Sequence, residues 1–187
     1  METVERLIRS TQELLWERGY VGTSPKAIQR AAEAGQGSMY HHFAGKAELA
    51  KAAIERSGAE LRAAADEQLS RDGSATERIS GYLKRERDVL RGCRVGRLTA
   101  DPDVVADPEL RAPVAETFAW LRTRLAEVVA EGRRNGEYPA GLDPDRTAAT
   151  IAAVLQGGYV LARAAGSTEP FELAVQGLVD LLPEATK

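Results

Sequence analysis

One cysteine, Cys93, stands in a chain of 187 residues, so no intrachain disulfide is available to staple the fold. A reducing compartment suits such a chain, and a length of this order can bury a real core without staples. Histidine is almost as scarce: the two present, His41 and His42, are neighbours. Adjacent residues on a helix point ~100° apart, and no third histidine or nearby cysteine completes a metal-ligand set. No E-x-x-H pair and no Ser/His/Asp spacing is legible, so neither a di-metal bundle nor a hydrolase is expected. No catalytic residue, metal or cofactor is assigned. Aromatic residues make up only 5% of the chain. Long apolar runs are missing as well. The nearest, Thr147 to Gly166, is rich in Ala and Gly and broken by Gln156 and Arg163, which reads as a buried or interface helix and gives no reason to expect a membrane partner. The N-terminal METVERLIRSTQELL carries charge throughout and has no apolar signal core, so a cytoplasmic protein is expected. Alternating strand patterns and repeats are absent, and the fold class expected is all-α.

What is present is organised around Thr23 to Lys46. Ser24 is a good N-cap and Pro25 suits the first helical position, so a helix starts there. Ile28, Ala31 and Ala32 share one face, and Ala34-Gly35 marks a reversal. In the segment that follows, Gln36 to His42, Met39 and Phe43 lie four apart and anchor a short helix inward. Gln36, Gly37, Ser38, Tyr40, His41 and His42 are left pointing out. Exposed helices ordinarily carry Glu, Lys and Gln; this one carries hydroxyls, imidazoles, a phenol and a glycine, with no acid. Such groups donate hydrogen bonds to phosphates and base edges, and two short helices joined by a tight turn are the arrangement that sets its second helix in a major groove. The formal net charge is −3, yet Tyr20 to Lys51 holds four cations (Lys26, Arg30, Lys46, Lys51) against Glu33 and Glu48, a local surplus of +2. Phosphate attraction acts over ~10 Å, so the local balance matters more than the total.

Along the chain, residues 3 to 18 place Val4, Leu7, Ile8, Thr11, Leu14 and Leu15 at helical spacing. With Ile28, Met39, Phe43 and Leu49 they predict a three-helix core. From Lys46 a helical pattern continues for some two dozen residues, ~36 Å, with Gly58 either a bend or a packing glycine. Ser74 to Glu77 is a capping box opening a further helix with Ile79, Tyr82, Leu83 and Leu90 as its buried stripe; the charges of Lys84 to Asp88 read as a solvated face. Asp107-Pro108 and Asp143-Pro144 each start a long helix, and a last one spans Pro170 to Leu182, with Phe171, Val175, Leu178, Leu181 and Leu182 on its apolar side. The total is about nine helices. Cys93 reads more readily as a small core residue than as a redox sensor.

The run from Thr23 to Leu49 resembles the TetR family of bacterial transcriptional regulators. Thr23, Ser24, Ile28, Ala32, Gly37, Ser38, Met39, Tyr40, His42, Phe43, Gly45, Lys46 and Leu49 fit its signature without a gap. Glu33 stands where the family usually has Gly, Ala34 where it has Val, and Gly35 where it has a capping Ser. The short run Gly92 to Leu98 is similar to a pattern of the LmrA/YxaF-like subgroup. The resemblance implies a ligand-responsive repressor and no enzyme: a three-helix helix-turn-helix DNA-binding domain at 1–48 and an effector-binding and dimerisation domain at 49–187. It implies that Gln36, Gly37 and Ser38 approach bases in a palindromic double-stranded operator. Tyr40, His42 and Lys46 would contact phosphates with Ser24 and Lys26, and His41 would do either. It also implies a homodimer through the last two helices, about 144–182, and a small-molecule effector. Tyr82, Phe118, Trp120 and Tyr159 are the aromatic candidates for its pocket. Simple intrachain packing of the last helices, and a module that keeps the fold without binding DNA, are the rival readings.

Overall fold

The computed structural model describes residues 3–183. Among these residues it holds nine α-helices and no strand: α1 (Thr3–Arg18), α2 (Pro25–Ala31), α3 (Gln36–His42), α4 (Lys46–Leu69), α5 (Ala75–Lys84), α6 (Pro102–Ala106), α7 (Pro108–Arg134), α8 (Pro144–Ala165) and α9 (Glu169–Leu181). A single 3-10 turn, Gly96–Ala100, precedes α6. The chain divides into two compact units. One takes the residues up to Glu60 together with Arg94–Thr117, the other Leu61–Cys93 and the residues from Phe118 on. The first unit thus reaches past residue 48 and recruits a segment from the middle of the chain.

In the first unit the apolar stripes close as their spacing requires. Leu7, Leu14, Ile28, Ala32, Met39, Phe43 and Leu49 form one buried cluster. Polar side chains then fix the later segment to α1. Asp101, nearly buried, accepts from the backbone amides of Tyr20 (2.7 Å) and Val21 (3.0 Å) with one oxygen and from Asp103 and Val104 with the other. Gly19 precedes this clamp at φ 73°, and a Cβ there would sit 2.8 Å from the Asp101 carboxylate, so only glycine fits. Arg94 pairs with Glu13 at 2.7 Å and stacks 4.3 Å over the Trp16 ring, and Arg97 donates to the Trp16 carbonyl.

In the second unit Ser74 and Glu77 make the capping box the sequence announces. Asp143 caps α8 through the amides of Asp145 and Arg146. Gly158 of α8 lets the Phe171 ring of α9 come within 3.0 Å of where a Cβ would stand. Three expectations are corrected here. The helix after Ser74 stops at Lys84, and Leu90 is exposed. Its end is set by Arg87, whose guanidinium donates to the carbonyls of Leu83 (2.7 Å) and Arg85 (2.9 Å) and so satisfies orphan acceptors of the last turn. The basic run is therefore not simply a solvated face. Leu181, expected on the apolar side of the last helix, is 82% exposed.

Candidate nucleic-acid interface

The helix-turn-helix is built from its caps. Ser24 in extended backbone accepts from the Ala27 amide at 3.1 Å, and Pro25 follows at the first position. Thr23, buried beside it, donates its hydroxyl to the Gly19 carbonyl. The C-terminal end of α2 is closed by Arg6 of α1, whose Nε donates to the Ala32 carbonyl at 3.0 Å. The turn differs from the reading of Gly35 as its flexible point. Glu33 takes the left-handed conformation at φ 49°, while Gly35 lies in ordinary extended backbone as the N-cap of α3 and supplies no side-chain cap.

Met39 is fully buried and Phe43 nearly so, which pins α3 by its inner face. Gln29 of α2 donates to the Met39 sulfur at 3.6 Å and ties the two helices. Gln36, Gly37, Tyr40, His41 and His42 are exposed and Ser38 is half-buried. An added Cβ at Gly37 would meet nothing within 4 Å, so the fold itself does not require a glycine there. The His41 and His42 rings touch edge-on at 4.8 Å.

The cations around this face divide into free and engaged. Lys26 and Arg30 are exposed and border a groove of about 340 Å³ together with Arg18 and Ser24. Arg30 counts in the local charge surplus read from sequence, whereas Arg18, which pairs with Glu17 at 3.5 Å, does not; only the fold brings Arg18 of α1 beside α2. Lys51 is bound to Glu109 and contributes less than the +2 surplus counts. Lys46 lies 3.7 Å over the Tyr20 ring. Burial lowers its pKa from the ordinary lysine value, while the carboxylates of Asp103 and Asp101 act the other way. Burial and the same acids, with Asp107, raise the Tyr20 phenol.

Known proteins with this arrangement are regulators. The model for bacterial regulatory proteins of the tetR family matches residues 7–53, and that for the tetracyclin repressor-like C-terminal domain matches residues 73–178. This chain belongs to the TetR family of transcriptional regulators. Among relatives of this TetR protein, the transcriptional regulator AcuR of Cereibacter sphaeroides is 31% identical over 152 residues, 77% of this chain and 68% of that protein. The HTH-type transcriptional repressor NemR of Escherichia coli K12 is 24% identical over 188 residues, 97% of this chain and 94% of that protein. The crystal structure of the reduced form of E. coli NemR superposes with a TM-score of 0.88 at 25% identity over all of both chains. None of these matches is named as an LmrA/YxaF-like regulator, so that subgroup is not borne out.

In the second unit of the TetR protein, two of the four aromatic candidates meet. Tyr82 of α5 and Tyr159 of α8 are buried and share the field of Arg87. Burial raises the Tyr159 phenol to about 12 with the Arg87 charge opposing, and raises Tyr82 in the same direction. The Tyr159 ring packs on Phe171 at 4.9 Å. Phe118 and Trp120 stand half-buried on α7, two residues and so ~200° apart around its axis; they do not face a common pocket. The residues missed in sequence are Arg85 and Arg87, whose burial depends on where α5 stops. Cys93 is buried, as a small core residue would be.

Proposed function

We propose that this TetR regulator is a cytoplasmic homodimeric repressor that binds a palindromic operator and is released when a small molecule enters its second unit. The observation that carries the reading is the outer face of α3, seven residues held by buried Met39 and presenting Gln36, Gly37, Ser38, Tyr40, His41 and His42. At ~10 Å such a helix reads only a few base pairs. Two copies, ~34 Å apart on successive grooves, supply the rest. Ser24, Lys26, Tyr40, His42 and Lys46 hold phosphates, with Arg18 and Arg30 beside Lys26 adding charge. Residues 1–48 act on DNA; 49–187 carry effector binding and dimerisation.

The dimer is supported by two stripes on α8 and α9. Ala153, Gly157, Val160 and Leu161 run along α8, and Leu173, Gly177 and Leu181 along α9, each at helical spacing. Val160, Leu161, Leu173 and Leu181 are 55 to 82% exposed, and a Cβ at Gly157 or Gly177 would meet open space within the chain. Small residues between large exposed apolar ones favour the close backbone approach of a second copy. By length and composition alone α8 also passes as a membrane span, but its inner side, Ile151, Leu155, Tyr159 and Ala162, is buried by its own unit.

Release requires the effector to prefer the non-binding conformation by a factor of ~10⁴ to reverse a strong bias. To test the DNA half, the full-length protein selects a sequence from a random duplex pool, and anisotropy compares variants on it. Gln36→Ala should weaken binding and relax preference at one base position, by ~1 to 3 kcal/mol; Lys26→Ala should weaken all sequences alike and reduce the salt slope by about one. Failure to select any sequence, or unaltered binding by both variants, refutes the reading.

A further inference from the structure

In the second unit Arg85 and Arg87 are half-buried guanidiniums that meet no carboxylate among the described residues. Arg87 spends its terminal nitrogens on the carbonyls that end α5, and its Nε is buried without a partner. Arg85 is the C-cap of α5; its Nε is buried and unpartnered too, and its guanidinium leans toward the Tyr82 ring, 5.7 Å from the centroid, with that of Arg87 at 5.2 Å. Burying one unpaired charge is costly, and two of one sign around a single ring are costlier. Burial lowers the Arg87 pKa and the neighbouring Arg85 charge adds to the effect, while the Tyr159 and Tyr82 phenols act the other way.

Arg85 also lines a cavity of about 330 Å³ between α5 and α9. Leu83, Val89, Phe171 and Val175 make its apolar walls, and Lys84 adds a second cation. Glu172, its acidic lining residue, is exposed as Lys84 is, so both charges are solvated and largely offset each other, which leaves half-buried Arg85 as the charge that sets the site. The volume is that of a small-molecule site with a few placed polar groups. A guanidinium with free donors matches a planar carboxylate in two parallel hydrogen bonds.

We propose that this cavity binds a small amphipathic carboxylate, its head on Arg85 with Arg87 behind and its hydrocarbon between Phe171, Val175 and Leu83. The proposal rests on the effector reading above and names its chemical class. A free phosphate shares the charge but leaves the apolar walls bare. Binding satisfies Arg85 donors and offsets the like charges of two half-buried guanidiniums.

The test is thermal melting of the full-length protein at constant ionic strength with hexanoate, hexanamide, hexylammonium, benzoate, benzamide and inorganic phosphate. At least one acid should raise the melting temperature saturably, at about tenfold lower concentration than its amide. Arg85→Gln should remove that preference and Arg85→Lys restore part of it. Arg85 lies outside the helices and is half exposed, so both variants should fold, as circular dichroism will check; Arg87→Gln should weaken the preference without abolishing it. Equal shifts by acids and amides, an acid shift that survives Arg85→Gln, a shift by phosphate alone, or no shift by either acid overturns the proposal. Anisotropy on the selected duplex separates the two readings. Release by the amide or the amine without acid preference leaves a ligand-responsive repressor and removes the anion site; acid binding that leaves DNA affinity unchanged keeps the site and removes the effector role.

Discussion

Glu33 occupies left-handed backbone at φ 49°, in the turn between α2 and α3, a conformation that glycine adopts without strain. A Cβ in that region costs roughly 1 kcal/mol or more. Some of this returns as the lower entropy of a non-glycine unfolded chain. Glu33→Gly should therefore stabilise the protein by about 0.5 to 1 kcal/mol, read as a higher urea midpoint with unchanged slope. It also removes a carboxylate beside Lys26 and Arg30, which border a shallow groove with it. Glu33→Ala separates the two effects: it deletes the charge and keeps the Cβ. The alanine variant should gain DNA affinity at low salt without gaining stability, while the glycine variant gains both. Equal midpoints for the two would remove strain from the account. At this scale sequence was informative where a residue acts on its neighbours. Ser24, Pro25, Ser74 and Asp143 cap as their types demand. It was uninformative for Arg87 and Asp101, whose partners are supplied by the fold, and for Arg85, whose surroundings are.

At the scale of the element, α3 keeps a glycine that its own packing does not need. Gly37 is exposed and its missing Cβ faces open space, and glycine inside a helix costs up to ~1 kcal/mol relative to alanine. Gly37→Ala should thus melt at the same temperature or higher. If the α3 backbone comes close to DNA, the same methyl group should cut affinity for the selected duplex on the order of tenfold, about 1.4 kcal/mol. Unimpaired binding by a folded Gly37→Ala protein would mean that the helix does not dock by that face. The two ends of α3 and α5 show why boundaries are harder to read than periods. Met39 and Phe43 mark the inner face of α3 by spacing alone. By contrast α5 ends at Lys84 because Arg87 folds back on its carbonyls, and Leu90, which continues the apolar period in sequence, is left exposed. Periodicity records which side of a helix is apolar and holds no record of a side chain that terminates it from outside.

At the scale of the molecule, the proposed dimer seam is the pair of exposed apolar stripes on α8 and α9. Introducing Leu161→Glu and Leu173→Glu together places carboxylates on both stripes, at positions already 55% and 66% exposed in the single chain. The subunit should keep its fold, shift from dimer to monomer in light scattering, and lose affinity for a palindromic duplex by on the order of a hundredfold, because joint binding of two half-sites is lost. A variant that stays dimeric would place the interface elsewhere.

The sequence by itself determined the helical class, most helix starts, the three-helix core around Ile28 and Met39, and the outward face of α3. Each of these follows from spacings of three or four residues or from a cap and the amides beside it, and such relations are complete within a few positions. Only the tertiary structure decided that Arg94–Thr117 joins the unit that carries the helix-turn-helix, that Asp101 clamps the end of α1, that Lys46 rests on Tyr20, and that two arginines beyond α5 are half-buried without an acid among the described residues. Those outcomes depend on groups up to some 80 residues apart, and a charge written in a sequence reads the same whether its partner is water, a carbonyl or another chain.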